Sequence, residues 1–316
     1  MPLRSPERPL GALRLSPATS TPRGSTPVAQ GPAGTSAILD RLLDAARRDS
    51  RVVGVLAGGS PCEGRGDAYS DLDLALFVKD ADLPSFDREW KGWAGQFGRL
   101  LLAYVGAVGH PWAVFDAEPL PLRVDLSLWP ASQLDAIADW PVAPTSVEAI
   151  VLYDAMGGAI VERARSLVGR SLAPPDAARA FESNSGDFWY YLLRDVGKLD
   201  RGDRWGAYWE LHVVLVGSLL GLMRLEAGAV DRWRGSSPAH RASTELPPSR
   251  LAEVEAALPK GLDEHEIRRS LLALTEQARR VCSALSAREC WAWPDELADR
   301  VDALLRTPER VRGEAR

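Results

Sequence analysis

The chain has 316 residues, of which 46% are hydrophobic and 26% charged, which is enough for two domains with cores of ordinary size. Its formal net charge of −5 argues against general nucleic-acid binding, which needs a basic surface, and is compatible with a small cationic substrate. The three cysteines, Cys62, Cys282 and Cys290, show neither metal-ligand spacing nor the even number of a disulfide framework. We therefore predict a reducing, cytoplasmic location.

The N-terminal segment has a composition of its own. Residues 1–35 are rich in Pro, Ser, Thr, Gly and Arg, and such a segment cannot bury a core. It lacks the continuous apolar centre of a signal peptide. We predict a disordered tail, with a transit peptide as the alternative.

The next part of the chain predicts alternating helices and strands. A helix capped by Thr35 or Ser36 precedes a strand over Val52–Ala57 and a second strand over Asp71–Val78. Residues 85–97 predict a helix with aromatic side chains on one face. Three more strand-like segments follow, at residues 101–108, 112–116 and 122–129. This half of the chain predicts a mixed sheet flanked by helices.

From about Pro144 the apolar pattern becomes helical. Residues 185–202 predict an amphipathic helix, and Asp203 can cap the helix that follows. Residues 263–285 predict another helix, and Pro294 suits the start of a final one. We therefore predict an α+β fold in which a helical domain follows the mixed sheet.

The predicted domain organisation has three parts: the tail over residues 1–35, the mixed domain over 36–155 and the helical domain over 156–316. The apolar run Leu211–Met223 is shorter than the roughly 20 residues of a membrane span, and charged neighbours interrupt it. We predict a buried core helix there and no membrane partner.

Two acids, Asp71 and Asp73, begin the second predicted strand, where an unpaired buried carboxylate would be costly. Residues i and i+2 of a strand point to the same face, about 6.6 Å apart, so the two carboxylates lie side by side. Such oxygen ligands suit Mg²⁺, which usually combines one or two carboxylates with substrate phosphates.

A Gly-Gly-Ser step follows the first strand. Gly58 and Gly59 let the backbone approach a ligand closely, Ser60 adds a hydroxyl, and a helix or turn starting there would offer free N–H groups to an anion. Asp125 places a third acid in a later strand. An Asp-x-Asp pair alone is typical of an exposed edge, and Gly-Gly-Ser alone of a turn. Their order in the chain, together with Asp125, favours a site for a nucleoside triphosphate and Mg²⁺.

This arrangement of Gly59-Ser60, Asp71-x-Asp73 and Asp125 resembles the signature of the DNA polymerase beta-like nucleotidyltransferase superfamily. Within that superfamily, residues 52–228 are most similar to the antibiotic nucleotidyltransferases of the streptomycin adenylyltransferase type. The segments that carry this likeness are GGSPCEGRGDAYSDLDLALFV, RVDLSLWP, AIVLYDAMG and FWYYLLRDVGKLDRGDRWGA.

The resemblance implies an N-terminal nucleotidyltransferase fold. It also implies Mg²⁺-dependent transfer of a nucleoside monophosphate from an NTP, ATP above all, to a hydroxyl of a small acceptor such as an aminoglycoside-type antibiotic, with release of pyrophosphate. Gly59 and Ser60 would hold triphosphate oxygens, and Asp71 and Asp73 would bind the metal. Asp125 would be the third metal ligand or the base that accepts the hydroxyl proton.

Lys198 lies near the end of the helix predicted over residues 185–202, off its apolar stripe. The resemblance implies that Lys198 contacts the triphosphate, and a solvated helix end is the alternative. Trp205, Trp209 and Glu210 either line an acceptor pocket or belong to a core.

A second class of function stays open. A nucleotide-binding regulator of the same fold, or a nucleotidyltransferase that modifies a protein, would carry the same motifs. The intact set of acids favours catalysis, and the dispersed arginines make a nucleic-acid acceptor a poorer fit. The acceptor, the preferred nucleotide and the oligomeric state do not follow from the sequence.

Overall fold

A computed structural model describes residues 33–107, 109–171, 176–229, 239 and 242–307. The predicted tail lies outside these residues except for its last three, which belong to a helix. That helix begins at Ala33, ahead of the predicted caps Thr35 and Ser36. The chain divides into two compact units, one up to Leu172 and one from Ala173 onwards.

The first unit is a six-stranded mixed sheet with helices. Its elements are α1 (Ala33–Arg48), β1 (Val52–Ala57), α2 (Gly59–Cys62), β2 (Leu72–Val78), α3 (Leu83–Ala94), β3 (Leu100–Val105), β4 (Pro111–Phe115), β5 (Leu122–Pro130), a 3₁₀ segment (Ala131–Asp139), α4 (Val147–Ile150), β6 (Val151–Asp154) and α5 (Ala159–Arg165). The strand order is β3-β4-β5-β2-β1-β6. The β2–β5 pair at the centre of the sheet is parallel, and the other neighbouring pairs are antiparallel.

Apolar side chains cover both faces of this sheet. Along β2, Leu74 and Leu76 pack with α1 and α3 on one face, whereas Ala75 and Phe77 pack with the 3₁₀ segment and α5 on the other. A strand buried on both faces reads as a nearly continuous apolar run. Asp73 interrupts this run in β2, and it is therefore the position that needs a functional reason.

The second unit is helical. Its elements are α6 (Ala177–Asp200), α7 (Arg204–Glu210), a π-helical turn (Leu211–Leu215), α8 (Val216–Glu226), α9 (Ala242–Glu245), α10 (Pro248–Ala257), α11 (Glu264–Glu289) and α12 (Asp295–Arg306). Carboxylates cap three of these helices: Asp176, Asp203 and Asp263 accept hydrogen bonds from N–H groups in the first turns of α6, α7 and α11. The predicted α+β organisation, a mixed sheet followed by helices, is confirmed.

The apolar run predicted to be a core helix lies in the middle of this unit. Among the described residues, one helical segment, Arg204–Glu226, is long and apolar enough to cross a membrane. The buried side chains of this segment, Leu219 and Leu222 among them, pack against α6 and α11. This packing agrees with the prediction of a core helix.

The division between the units falls later than the predicted domain boundary between residues 155 and 156. Helix α5 follows that predicted boundary, and its Ile160 and Ala164 are fully buried against the sheet of the first unit. Asp154 fixes the start of α5, because its carboxylate accepts hydrogen bonds from the N–H groups of Ile160 and Val161. Asp154, which lies in the segment AIVLYDAMG, thus has a structural role at the start of α5.

Candidate active site

Three acids meet at one end of the central strand pair. In the parallel β2–β5 register, Asp73 lies directly opposite Asp125, and Asp71 comes one residue before β2 on the same side as Asp73. All three side chains are half-buried, and one carboxylate oxygen from each lies within 4.8 Å of the others. The structure therefore brings together the three acids that the sequence selects.

The cluster carries more negative charge than its surroundings compensate. Burial, and then the charges of Asp71 and Asp125, raise the pKa of Asp73 to about 7. Burial and the charge of Asp71 also raise the pKa of Asp125. Because repulsion among carboxylates destabilises their charged forms, the cluster favours a bound cation.

One arginine opposes this charge and was not singled out in the sequence. The Arg123 guanidinium lies 3.1 Å from the Asp71 carboxylate, and its positive charge offsets part of the rise in the pKa of Asp73 and of Asp125. Arg123 precedes Asp125 by two residues on β5, so both side chains point to the same face. That spacing is the signal by which the sequence would have revealed it.

The Gly-Ser step lies against the acids. The Gly58 N–H donates to the Asp73 carbonyl oxygen at 2.7 Å, which ties the end of β1 to β2 beside the cluster. Gly59 has a φ of +65°, and a Cβ on it would overlap the Asp73 carboxylate. The hydroxyl oxygens of Ser60 and Ser70 are 3.2 Å apart, within hydrogen-bonding distance. Gly59, Ser60 and the three acids thus form one constellation.

We expect Gly59→Ala to damage both the fold and the cluster. A left-handed backbone costs a non-glycine residue about 1–3 kcal/mol, and here the added methyl group would also displace the Asp73 carboxylate. Gly157→Ala is the matched control, since Gly157 has a φ of +64° and nothing within 4 Å of its added Cβ. Urea unfolding should show a larger loss for Gly59→Ala. Equal losses would mean that the contact with Asp73 has no energetic weight.

Lys198 belongs to a buried ionic cluster of the helical unit. Its ammonium lies 2.5 Å from the Glu210 carboxylate, donates to the Gly206 carbonyl at 3.1 Å and lies 3.8 Å from Asp195. Only a tenth of the Lys198 side chain is exposed, so the alternative prediction of a solvated helix end is wrong. Its predicted contact with a triphosphate stays a prediction. Trp205 and Trp209 are exposed, so neither belongs to a core.

Asp195 is the buried acid that the sequence did not reveal. Its side chain is fully buried, and burial followed by the charge of Glu210 raises its pKa to about 8, against the opposing charges of Lys198 and Arg194. On the sequence, Asp195 and Lys198 are three residues apart in a helix and look like an ordinary surface pair. Burial of such a pair depends on α7, which supplies Glu210.

The raised pKa of Asp195 predicts how stability depends on pH. The folded chain holds a proton on Asp195 up to about pH 8, whereas the unfolded chain releases it near the ordinary pKa of 3.8. The stability that this proton contributes is complete at low pH and is lost as the pH rises from the ordinary pKa of 3.8 to about 8. Asn does not ionise in this pH range, so the free energy of unfolding of Asp195→Asn should fall less than that of the wild type between pH 5 and pH 9. Parallel pH profiles from urea unfolding would contradict the assignment.

Comparison with solved structures finds chains that are similar to this one. Among 11 similar chains of solved structures, one is a crystal structure of an aminoglycoside 6-adenyltransferase from Bacillus subtilis. It is 18% identical with a TM-score of 0.39, and the match covers 85% of this chain and 98% of that chain. A nucleotidyltransferase-like protein from Exiguobacterium sibiricum is 16% identical with a TM-score of 0.32, and the match covers 85% of this chain and 87% of that one.

No protein-family model matches the chain, and no curated protein matches it. At these identities and TM-scores, we base the function on the residues of the site itself.

Proposed function

We propose that the chain is a Mg²⁺-dependent nucleotidyltransferase. It moves a nucleoside monophosphate from an NTP, ATP in the first place, to a hydroxyl of a small acceptor such as an aminoglycoside-type antibiotic, and it releases pyrophosphate. The observation that carries this proposal is the carboxylate cluster of Asp71, Asp73 and Asp125, within 4.8 Å of one another and adjoining Gly59.

The donor set fits Mg²⁺. Carboxylate oxygens are its preferred protein ligands, and a bound cation would oppose the effects of burial and of the two neighbouring acids that raise the pKa of Asp73. Asp71, Asp73 and Asp125 would hold the ion. When bound, it would supply the charge that neutralises the phosphoryl oxygens of the NTP during transfer.

The chain's own groups would position the two substrates. Gly59 offers a backbone without a side chain next to the cluster, and Ser60 offers a hydroxyl donor, so both suit triphosphate oxygens. Asp125 lies directly opposite Asp73 on β5, and it would bind the metal or accept the proton of the attacking hydroxyl. Phosphoryl transfer depends mainly on such positioning and charge stabilisation.

The acceptor and the setting rest on the likeness of the sequence to antibiotic nucleotidyltransferases and on the acidic balance of the chain, whose net charge of −5 suits a cationic amino sugar. Antibiotic resistance in the cytoplasm would be the physiological role. A nucleotide-binding regulator, or a nucleotidyltransferase that modifies a protein, is the second candidate, because the same acids would serve it.

A transfer assay tests the proposal. The full chain is incubated with Mg²⁺, each of the four NTPs and a panel of aminoglycosides and lincosamides, and products are read by mass spectrometry for an added nucleoside monophosphate. We expect a modified acceptor and one pyrophosphate per transfer. Tight NTP binding without a modified small molecule would favour the regulator or the protein-modifying enzyme. The absence of Mg²⁺-dependent NTP binding would contradict both.

A further inference from the structure

Arg123 is paired with Asp71, a carboxylate that an incoming metal ion would need as a ligand. Its guanidinium pairs with Asp71 at 3.1 Å, and Asp71 is one of the three acids within 4.8 Å of one another. The backbone brings these two side chains together. Arg123 and Asp125 lie on one face of β5, and β5 pairs in register with β2, which begins directly after Asp71. A rigid strand pair therefore delivers the cation to the cluster.

The guanidinium has room to leave. The Arg123 side chain is 62% exposed, against 32% for Asp71, so the arginine can rotate towards solvent while the acid stays in place. A divalent cation bound to a carboxylate repels a neighbouring guanidinium, and a planar guanidinium is well suited to phosphate oxygens. When a metal–triphosphate complex binds, the metal therefore weakens the ion pair between Arg123 and Asp71, and the phosphate oxygens become a new partner for Arg123.

We infer that Arg123 is a resident counter-cation that couples metal binding to nucleotide binding. In the metal-free protein it holds Asp71 and competes with a metal ion that comes alone. With a metal–nucleotide complex it moves from Asp71 to a phosphate oxygen, so the complex binds in preference to the bare ion. This inference rests on the proposed nucleotide site and gives Arg123 two alternative partners, Asp71 and a phosphate oxygen of the nucleotide.

Metal titration of the full chain tests the inference without any turnover. Mn²⁺ replaces Mg²⁺ as the probe, and free Mn²⁺ is measured by electron paramagnetic resonance. Since removal of a positive charge next to a divalent ion lowers its repulsion, we expect Arg123→Gln to bind Mn²⁺ alone about tenfold more tightly than the wild type. It should bind a non-hydrolysable ATP analogue, at saturating Mn²⁺, about tenfold more weakly. Arg123→Lys keeps the positive charge, so both of its affinities should lie between those of the wild type and of Arg123→Gln.

Arg99→Gln is the matched control. Arg99 is an exposed arginine of the same unit that pairs with Asp116 at 3.1 Å, and neither residue belongs to the cluster. This variant should bind Mn²⁺ and the analogue as the wild type does. Thermal melting should show that all three variants are folded.

The outcomes separate this inference from the function on which it rests. If Arg123→Gln binds Mn²⁺ no more tightly than the wild type while Asp73→Asn loses it, the metal site stands and the role of Arg123 is wrong. If Asp73→Asn binds Mn²⁺ as tightly as the wild type, the metal site itself is wrong. If neither the wild type nor Arg123→Gln binds Mn²⁺ at millimolar concentration, both are overturned.

Discussion

Replacing Asp73 by Asn should lower the rate of nucleotide transfer by about a thousandfold, the scale on which a group that stabilises transition-state charge contributes to catalysis. Asn keeps the shape of the side chain and removes the negative charge that would hold the metal. Asp73 is the acid most constrained by the fold, since it lies opposite Asp125 within the central strand pair and touches Gly59. Initial rates measured by pyrophosphate release, at saturating NTP and Mg²⁺, give the comparison.

The fold should tolerate this change. Asn removes a carboxylate whose pKa is raised by burial and by two neighbouring acids, so the free energy of unfolding should stay the same or rise. Asp116→Asn removes an exposed carboxylate of the same unit and should leave the rate unchanged. Wild-type transfer by a folded Asp73→Asn protein would show that the cluster does not serve the reaction.

Replacing Lys198 by Ala should destabilise the chain by about 3–5 kcal/mol, because it removes the ammonium that pairs with the buried Glu210 carboxylate. Asp195 is fully buried, and Glu210 is a tenth exposed with its carboxylate 2.5 Å from the lysine ammonium. Urea unfolding measures the loss. Lys260→Ala changes an exposed lysine of the same unit and should alter stability by no more than about 0.5 kcal/mol.

A second comparison separates the structural role of Lys198 from its predicted contact with the triphosphate. Asp195→Asn with Glu210→Gln removes the buried acids, and on this background Lys198→Ala should cost little stability. If the triple variant binds the NTP ten- to a hundredfold more weakly than the double variant, Lys198 contacts the nucleotide, since this loss is the size of one charge-assisted contact of about 1.4–2.7 kcal/mol. Equal affinities would leave Lys198 as a structural residue of its own unit.

The strands and their acids could be predicted because strand geometry is local. Alternation places Asp71 and Asp73 on one face whatever the rest of the chain does, and an acid in an apolar strand stands out in the sequence. The predicted strand over Val52–Ala57 coincides with β1 for the same reason. Apolar periodicity also located α3, whose aromatic residues Phe86, Trp90 and Trp93 are buried.

The ionic partners could not be predicted because they depend on tertiary contacts. Lys198 looks exposed on a single helix, and only the return of the chain through α7 brings Glu210 against it. Helix α6 likewise begins at Ala177, ahead of the predicted residue 185, because Asp176 caps a turn without strong apolar periodicity. The four-residue strand β6 is too short to show alternation.

The parallel pairing of β2 with β5 has a consequence for how the site moves. Asp73 and Asp125 lie on the two central strands, whose amides should exchange with solvent only when the whole unit unfolds. Ser60 lies in α2 and Ser70 in the segment between α2 and β2, outside the strands, where we expect amides to exchange at a lower free energy than in the sheet. We therefore expect the half of the site that would hold the metal to be more rigid than the half that would receive the phosphates. Nucleotide entry and pyrophosphate release would then involve motion of the segment that carries Ser60 and Ser70, while the three carboxylates stay in place.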